Sequence, residues 1–313
     1  MTPDQAVILQ QLINGLSLGM MYALLALGFT MVYGIIELIN FAHFNVFMSG
    51  TFFGLWFLAF LGYGRTARPL SGVTLILVLI GAFLFTMLVT GLLGAIIERL
   101  CLKPMRGLSG TAPMITTIGV SLILQSLILF ATNFANNVPY PGILPPDRWA
   151  VAGSAVQITL KNVLLWVSAL VLMVLLDYFV RRTWLGKAMR ATAQDPEAAR
   201  MMGIRIDVII LVTFFIGSAL AGAAALIFGM YYGLTSYIVG YLAGLRAFTA
   251  AVLGGIGNIP GAVLGGLFIG FVESLSGQFI GNAWSDAIIF AILIVVLVFR
   301  PNGLLGMQRP QRA

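Results

Sequence analysis

Residues Ile8 to Tyr33 read ILQQLINGLSLGMMYALLALGFTMVY, with no charged side chain among them. As an α-helix rising about 1.5 Å per residue, the run is roughly 39 Å long and crosses a bilayer with tilt. Apolar stretches with at most one charge recur at Leu38 to Leu61, Leu70 to Ile97, Ala112 to Phe134, Val163 to Phe179, Val208 to Tyr232, Tyr241 to Gly257, Ala262 to Ile280 and Ala287 to Phe299. With the first run they make about nine spans, in a range of eight to ten. The rest of the chain agrees: 60% of its 313 residues are apolar and 9% are charged, against about 25% charged in a soluble domain. Mean hydropathy is +1.03 with no polar half. The expected fold is an all-α, polytopic transmembrane bundle, which excludes a disordered chain, a disulfide scaffold and a cytosolic enzyme.

The net charge of +7 suggests nucleic-acid binding only until the basic residues are located. They fall in short gaps between spans, as the positive-inside rule requires of cytoplasmic loops. If the gap from Arg181 to Asp207 lies inside, twelve basic residues are inside, among them Arg99, Lys103, Arg106, Arg300, Arg309 and Arg312. Four (Arg65, Arg68, Arg148 and Lys161) are outside. The expected arrangement has the N-terminus outside and the C-terminus inside, in one domain over 1–313. It places five spans in 1–180, a cytoplasmic coupling loop at 181–207 and four spans in 208–313. Its surroundings are lipid, with no nucleic-acid partner. The first seven residues hold Asp4 and no Lys or Arg, so they lack the basic start of a secretory signal, and the first span is expected to remain in the mature protein. Cys101, the single cysteine, is read as a small packing residue.

Glycine is frequent, at 36 residues, and ordered. Gly217, Ala221, Ala225, Gly229 and Gly233 recur every fourth position, as do Gly257, Gly261 and Gly265, giving smooth stripes for close helix approach. Tyr22 to Gly34 aligned with Ala221 to Gly233, a shift of 199, matches at six of thirteen positions. The two segments open groups of four spans running in opposite senses, so an inverted repeat, with a substrate path between the halves, is expected.

Several chemistries are missing. Gly186-Lys187 has Arg181 where a P-loop needs its first glycine, and Ala188 follows the lysine, so ATP is not expected to bind here. No HExxH motif occurs, and His43 is the only histidine, leaving no zinc site and no histidine with a buried acid to act as general base. Gly255-Ile256-Gly257 is spaced wrongly from Gly261 for a dinucleotide loop. No cofactor, metal or catalytic residue is expected.

Asp195-Pro196-Glu197-Ala198-Ala199-Arg200-Met201-Met202-Gly203 reads as a complete short helix: Asp195 caps it, Pro196 suits the first position, Glu197 sits at the positive end and Gly203 stops it. A helix so short needs a surface to lie on. That surface is either its own membrane domain or a partner protein.

Gly15-Leu16-Ser17-Leu18-Gly19, Tyr22-Ala23-Leu24, Met31-Val32-Tyr33-Gly34 and Ile39-Asn40-Phe41-Ala42-His43 resemble the opening of the branched-chain amino-acid permease family of ABC importers. The resemblance continues through Thr116 to Leu122, Asp195 to Gly203, and Ala250 to Gly261, nearly the whole chain in the right order. It implies the membrane subunit of an importer in the bacterial inner membrane. Its partners would be a second permease, two cytoplasmic ATPases and a periplasmic substrate-binding protein. It also marks Asp195, Pro196, Glu197, Ala198, Ala199, Arg200, Met201 and Gly203 as the ATPase-coupling element. Relatives of this kind move branched-chain amino acids, urea, short amides or aromatic acids. The chain departs from the family after His43, where Phe44-Asn45 replaces a glycine and an acidic residue.

Polar residues within spans are candidates for the translocation path. Asn40 and His43, three apart, are expected to share a helix face and either line the path, with Asn45, or join helices by hydrogen bonds. Arg246 is expected to snorkel toward headgroups, with attraction of a substrate carboxylate the second reading. Glu273 is expected to pair within the bundle, and Asp177 and Asp286 to be solvated at span ends. A stand-alone secondary transporter or channel is the rival class, and an intramembrane enzyme a third.

Overall fold

The computed structural model describes residues 3–36, 38–64, 68–106, 108, 111–150 and 156–306; Arg65, Arg309 and Arg312, counted above toward orientation, lie outside the described residues. The helices are α1 (Pro3–Ile36), α2 (Ala42–Phe60), α3 (Gly72–Ile97), α4 (Thr111–Ala131), α5 (Leu160–Arg182), α6 (Trp184–Gln194), α7 (Pro196–Met201), α8 (Ile206–Tyr232), α9 (Val239–Gly254), α10 (Ile259–Ser276) and α11 (Asn282–Phe299). α3 runs on through a π-helical turn at Glu98–Leu102 and a 3-10 turn at Lys103–Met105. Strand β1 (Val138–Pro139) pairs antiparallel with β4 (Leu234–Thr235), and β2 (Arg148–Ala150) with β3 (Gln157–Thr159). The fold is an all-α, polytopic bundle.

Each apolar run of the sequence coincides with a helix, but the ends differ. Seven stretches are long and apolar enough to cross a membrane; α9, at 16 residues, falls short, and Ile259–Phe299 counts as one stretch of 41 residues. That stretch is not one rod. Gly281 takes φ 118°, the α10 side chain of Glu273 and the α11 side chain of Asp286 reach the same guanidinium, and Ser276 Oγ lies 3.1 Å from Ser285 Oγ. In a continuous helix the two acids would be roughly 20 Å apart along the axis, so α10 and α11 fold back as a hairpin. α8 ends where Gly233 takes φ 70°, the left-handed stop that glycine adopts without strain. α5 opens on a capping box between Thr159 and Asn162.

The helix contacts repeat. α1 packs on α10, and α8 packs on α3; α2 lies against α8, α3 and α4, while α9 lies against α1, α10 and α11. Exchanging α1–α4 for α8–α11 carries every one of these contacts onto its counterpart. α1 and α8 also run antiparallel, since Val32 packs with Ile210 and Phe214 while Gly28 meets Gly217 farther along. The two groups are therefore inverted copies, with α5 between them, as the shift of 199 suggested. Small residues make the close seams: Gly19 of α1 against Leu267 of α10, and Gly91 of α3 against Phe215 of α8. The outward sides of α3, α4, α5 and α11 carry exposed Leu, Ile and Val, as a lipid-facing surface requires.

Cross-links between loops sort the helix ends onto two faces. On one, Gln157 N donates to Gln10 Oε1 at 2.8 Å, Gln11 reaches Gln278 at 2.9 Å, Leu70 N donates to Ile143 O at 2.8 Å, and β1 pairs with β4. On the other, Lys103 and Arg106 meet Asp207, and Asn258 Nδ2 donates to Leu305 O at 2.7 Å.

Candidate functional site

Arg246 is held in the bundle by three neighbouring helices. From α9 its Nε donates to Asp286 of α11 at 2.8 Å and its Nη1 donates to the Tyr22 hydroxyl of α1 at 3.0 Å and to Glu273 of α10. The Arg246 side chain is 18% exposed, so it turns inward instead of snorkelling to headgroups. The expectation failed because sequence gives a residue's depth but not which side of its helix faces the bundle. Glu273 pairs inside the bundle, and Asp286, with a side chain 38% exposed, is solvated as expected but also pairs with Arg246; Asp177 pairs with Arg181 at an exposed position.

A cavity of about 620 Å³ opens beside this cluster. Gln11, Asn14 and Gln278 line its polar end, on the face opposite the 181–207 loop, while Leu18, Phe228 and Leu242 give it apolar walls. The Glu273 and Asp286 side chains both meet the one guanidinium, and Glu273 Oε2 is buried without a hydrogen-bond partner among the described residues. A buried carboxylate oxygen without a donor is costly.

Asn40, His43 and Asn45 lie elsewhere. Asn40 precedes α2, its Oδ1 accepting from Ala42 N at 3.1 Å, so it does not share a helix face with His43. The sequence reading missed this because α2 starts four residues later than the apolar run. His43 is 2% exposed, with its ring against Gly28 and edge-to-face with Phe29 at 6.1 Å. Asn45 donates to Ser121 Oγ of α4 at 2.6 Å, and Phe44 fills the space beside Gly240 and Gly244. The pair that departs from the family pattern thus ties α2 to α4 and α9. The structure brings Arg246 and Glu273 together, and leaves Asn40, His43 and Asn45 outside their cavity.

The 181–207 loop folds as two capped helices. Thr183 Oγ1 accepts from Gly186 N at 3.1 Å to open α6. Asp195 Oδ1 accepts from Glu197 N at 2.9 Å and Ala198 N at 3.1 Å to open α7. Gly203 takes φ 84°, and Ile204 N donates to Ala199 O at 3.0 Å, closing α7 with a Schellman-type turn. Ala199 packs inward while Met201 and Met202 are 88% and 83% exposed.

A family model described as branched-chain amino acid transport system / permease component matches residues 11–297. The chain belongs to this permease family. It is 41% identical over 306 residues to the high-affinity branched-chain amino acid transport system permease protein BraD of Pseudomonas aeruginosa, covering 97% of this chain and 96% of the relative. It is 38% identical over 307 residues to the permease proteins LivH of Salmonella typhimurium and Escherichia coli, at the same coverage. No solved structure matches it.

Sequence reading of this permease missed two groups. Tyr22 enters the sequence reading only as the first position of the repeat alignment and as part of a family motif, yet its buried hydroxyl accepts from Arg246. Asp207 entered only as a gap boundary, and Glu98 is the first residue past the run ending at Ile97. In the fold Arg106 bridges both, and Lys103 lies 2.9 Å from Asp207, which joins the end of α3 to the start of α8 next to α7. An acid at each span edge, with Lys and Arg in the same-side gap, was the available signal.

Proposed function

We propose that this permease is the membrane subunit of an ATP-driven, binding-protein-dependent importer of branched-chain or related apolar amino acids in the bacterial inner membrane. Its partners are a second permease, two cytoplasmic ATPases and a periplasmic binding protein. The 181–207 loop faces the cytoplasm and the Arg246 cavity faces outside. This chain performs no bond chemistry; ATP is hydrolysed in the partner subunits, and their closure drives alternating access here.

The observation carrying this reading is α7: a helix of six residues, capped at both ends, that presents Met201 and Met202 to solvent. Six residues do not hold a helix alone, and two adjacent exposed methionines are an adaptable apolar contact of the sort a partner groove takes up. Asp207 lies at the start of α8, just past α7, and is paired with Lys103 and Arg106 at the end of α3, so a push on α7 reaches an element of each repeat. Co-purification tests the reading: the wild-type chain should retain the two ATPases. Loss of them when Pro196 to Gly203 is replaced by a flexible linker, with membrane insertion intact, is the expected outcome. Unchanged ATPase capture and uptake would make the loop a connector and favour a stand-alone transporter.

A further inference from the structure

A smaller cavity, of about 250 Å³, lies on the face of the 181–207 loop, and the inverted repeat accounts for its position. The Arg246 cavity sits where α10 passes through a π-helical turn, Gly277–Gly281, into α11. The smaller one sits where α3 passes through the π-helical turn at Glu98–Leu102 toward α4, with walls that include Ile36 of α1, Pro113 of α4, and Ile210 and Phe214 of α8. Each has a carboxylate paired with an arginine in its lining, Glu273 with Arg246 and Glu98 with Arg106. Exchanging α1–α4 for α8–α11 carries one cavity onto the other at the opposite face.

The counterparts differ at one wall. α9 lines the larger cavity with Val239, Leu242, Ala243 and Arg246, and Leu242 is 46% exposed. Counted from the first residue of each helix, Ala42, Asn45, Val46 and Ser49 of α2 hold the same places, yet none is more than 5% exposed. α4 covers them. Phe41 N donates to Thr117 Oγ1 at 3.2 Å, and Asn45 Nδ2 donates to Ser121 Oγ at 2.6 Å and to Ser121 O at 2.8 Å. Pro113, Thr117 and Ser121 follow at four-residue spacing on one side of α4, so these bonds close the helix gap directly beyond the cavity that Pro113 lines.

We infer that the Glu98 cavity is the inside counterpart of the Arg246 cavity, shut in this structure by an α2–α4 latch at Asn45, and that it opens to the transported solute as the outer one closes. Its walls, Ile36, Leu102, Ile210 and Phe214 among them, suit an aliphatic side chain. The link between the two cavities is local: Asn45 holds α4, while its neighbour Phe44 seats against Gly240 and Gly244 of α9, the helix whose Leu242 and Ala243 line the outer cavity. The Phe44-Asn45 departure from the family pattern thereby acquires a role. The inference rests on the alternating-access reading and names the inner site and the residue that closes it.

The test places a single cysteine at Leu102 or at Leu242, in a Cys101→Ser background, within the permease–ATPase complex in nanodiscs. The rate of labelling by a membrane-impermeant thiol reagent is compared between the nucleotide-free complex and the complex trapped with ATP and vanadate. The two positions should respond in opposite directions, each by about fivefold or more. Asn45→Ala, in the state in which Leu242→Cys labels faster, should raise labelling at 102 and lower it at 242; a variant that merely loosens the bundle raises both. If that variant does not assemble, the comparison of nucleotide states with Asn45 intact still decides. Labelling that changes in the same direction at both positions, a cysteine at 102 that stays unreactive while 242 changes, or no response at either position each overturns the inference. Any of these in a complex that imports leucine leaves the transport reading standing, whereas opposite changes in a complex that imports no leucine support the paired cavities and refute the transport reading, so the two failures are separable.

Discussion

Gly28 of α1 and Gly217 of α8 meet backbone to backbone: a Cβ on Gly28 would run into the Gly217 carbonyl oxygen, and one on Gly217 would lie 2.8 Å from the Gly28 carbonyl oxygen. This contact is where the first helices of the two inverted repeats cross, with His43 closing over Gly28 from α2. Neither backbone can retreat without disturbing the seams α1 makes with α10 and α8 makes with α3.

Gly28→Ala and Gly217→Ala should each lower stability by about 1–3 kcal/mol, since overpacking forces the helices apart. Thermal unfolding of the purified permease checks this. Gly119, which has open space around its Cβ position, is the control and should tolerate alanine. Equal tolerance at all three positions would contradict the described crossing.

At the end of α3, Arg106→Ala should destabilise more than Lys103→Ala. Arg106 faces Glu98, which is 2% exposed, whereas the Lys103–Asp207 pair is 48% and 60% exposed. Stranding a buried carboxylate costs about 3–5 kcal/mol, while exposed pairs contribute roughly 0–1 kcal/mol. Adding Glu98→Gln to Arg106→Ala should recover part of the loss in the same unfolding assay. A Lys103→Ala variant as unstable as Arg106→Ala would show that the buried carboxylate is not the controlling charge.

In α7, Met201→Ser should impair ATPase capture more than Arg200→Ala, because a central apolar anchor is worth on the order of 2 kcal/mol or more and a rim charge contributes little. Gly203→Val should also impair capture, since a β-branched residue resists the φ of 84° found there. Insertion into the membrane should be normal in all three. Pull-down of the ATPases from membranes with matched permease content is the readout, and a ranking with Arg200→Ala as the most damaging change would oppose the proposed docking face.

Much of this was legible in the sequence. Apolar runs placed the helices because a bilayer demands long, nearly charge-free segments, and Asp195 with Gly203 bounded α7 because caps are local chemistry. The inverted repeat was visible as an echo, and the helix contacts gave it substance. What could not be read depended on azimuth and on packing at a distance. Arg246 turns inward because Tyr22, Glu273 and Asp286 await it, and those residues are distant in sequence. Asn40 lies outside the helix because α2 begins at Ala42, with His43 set against Gly28. The break at Gly281 was legible as the gap between the runs Ala262 to Ile280 and Ala287 to Phe299, but that the two helices fold back on each other was not.

Orientation is tested with single cysteines at Gly142 and Gln194 in a Cys101→Ser background. A membrane-impermeant reagent should label position 142 in intact cells and position 194 only after permeabilisation. The reverse pattern would invert the proposed topology and place α7 away from cytoplasmic ATPases.

The central claim is that this chain moves amino acids only as part of an ATP-driven complex. Its most direct measurement is uptake of radiolabelled leucine into proteoliposomes containing this permease, its second permease and the two ATPases, with binding protein outside and ATP enclosed. The account predicts accumulation that needs both ATP and binding protein and is abolished when Pro196 to Gly203 is replaced by a linker. Leucine uptake by this chain alone, without ATPases or nucleotide, would contradict it.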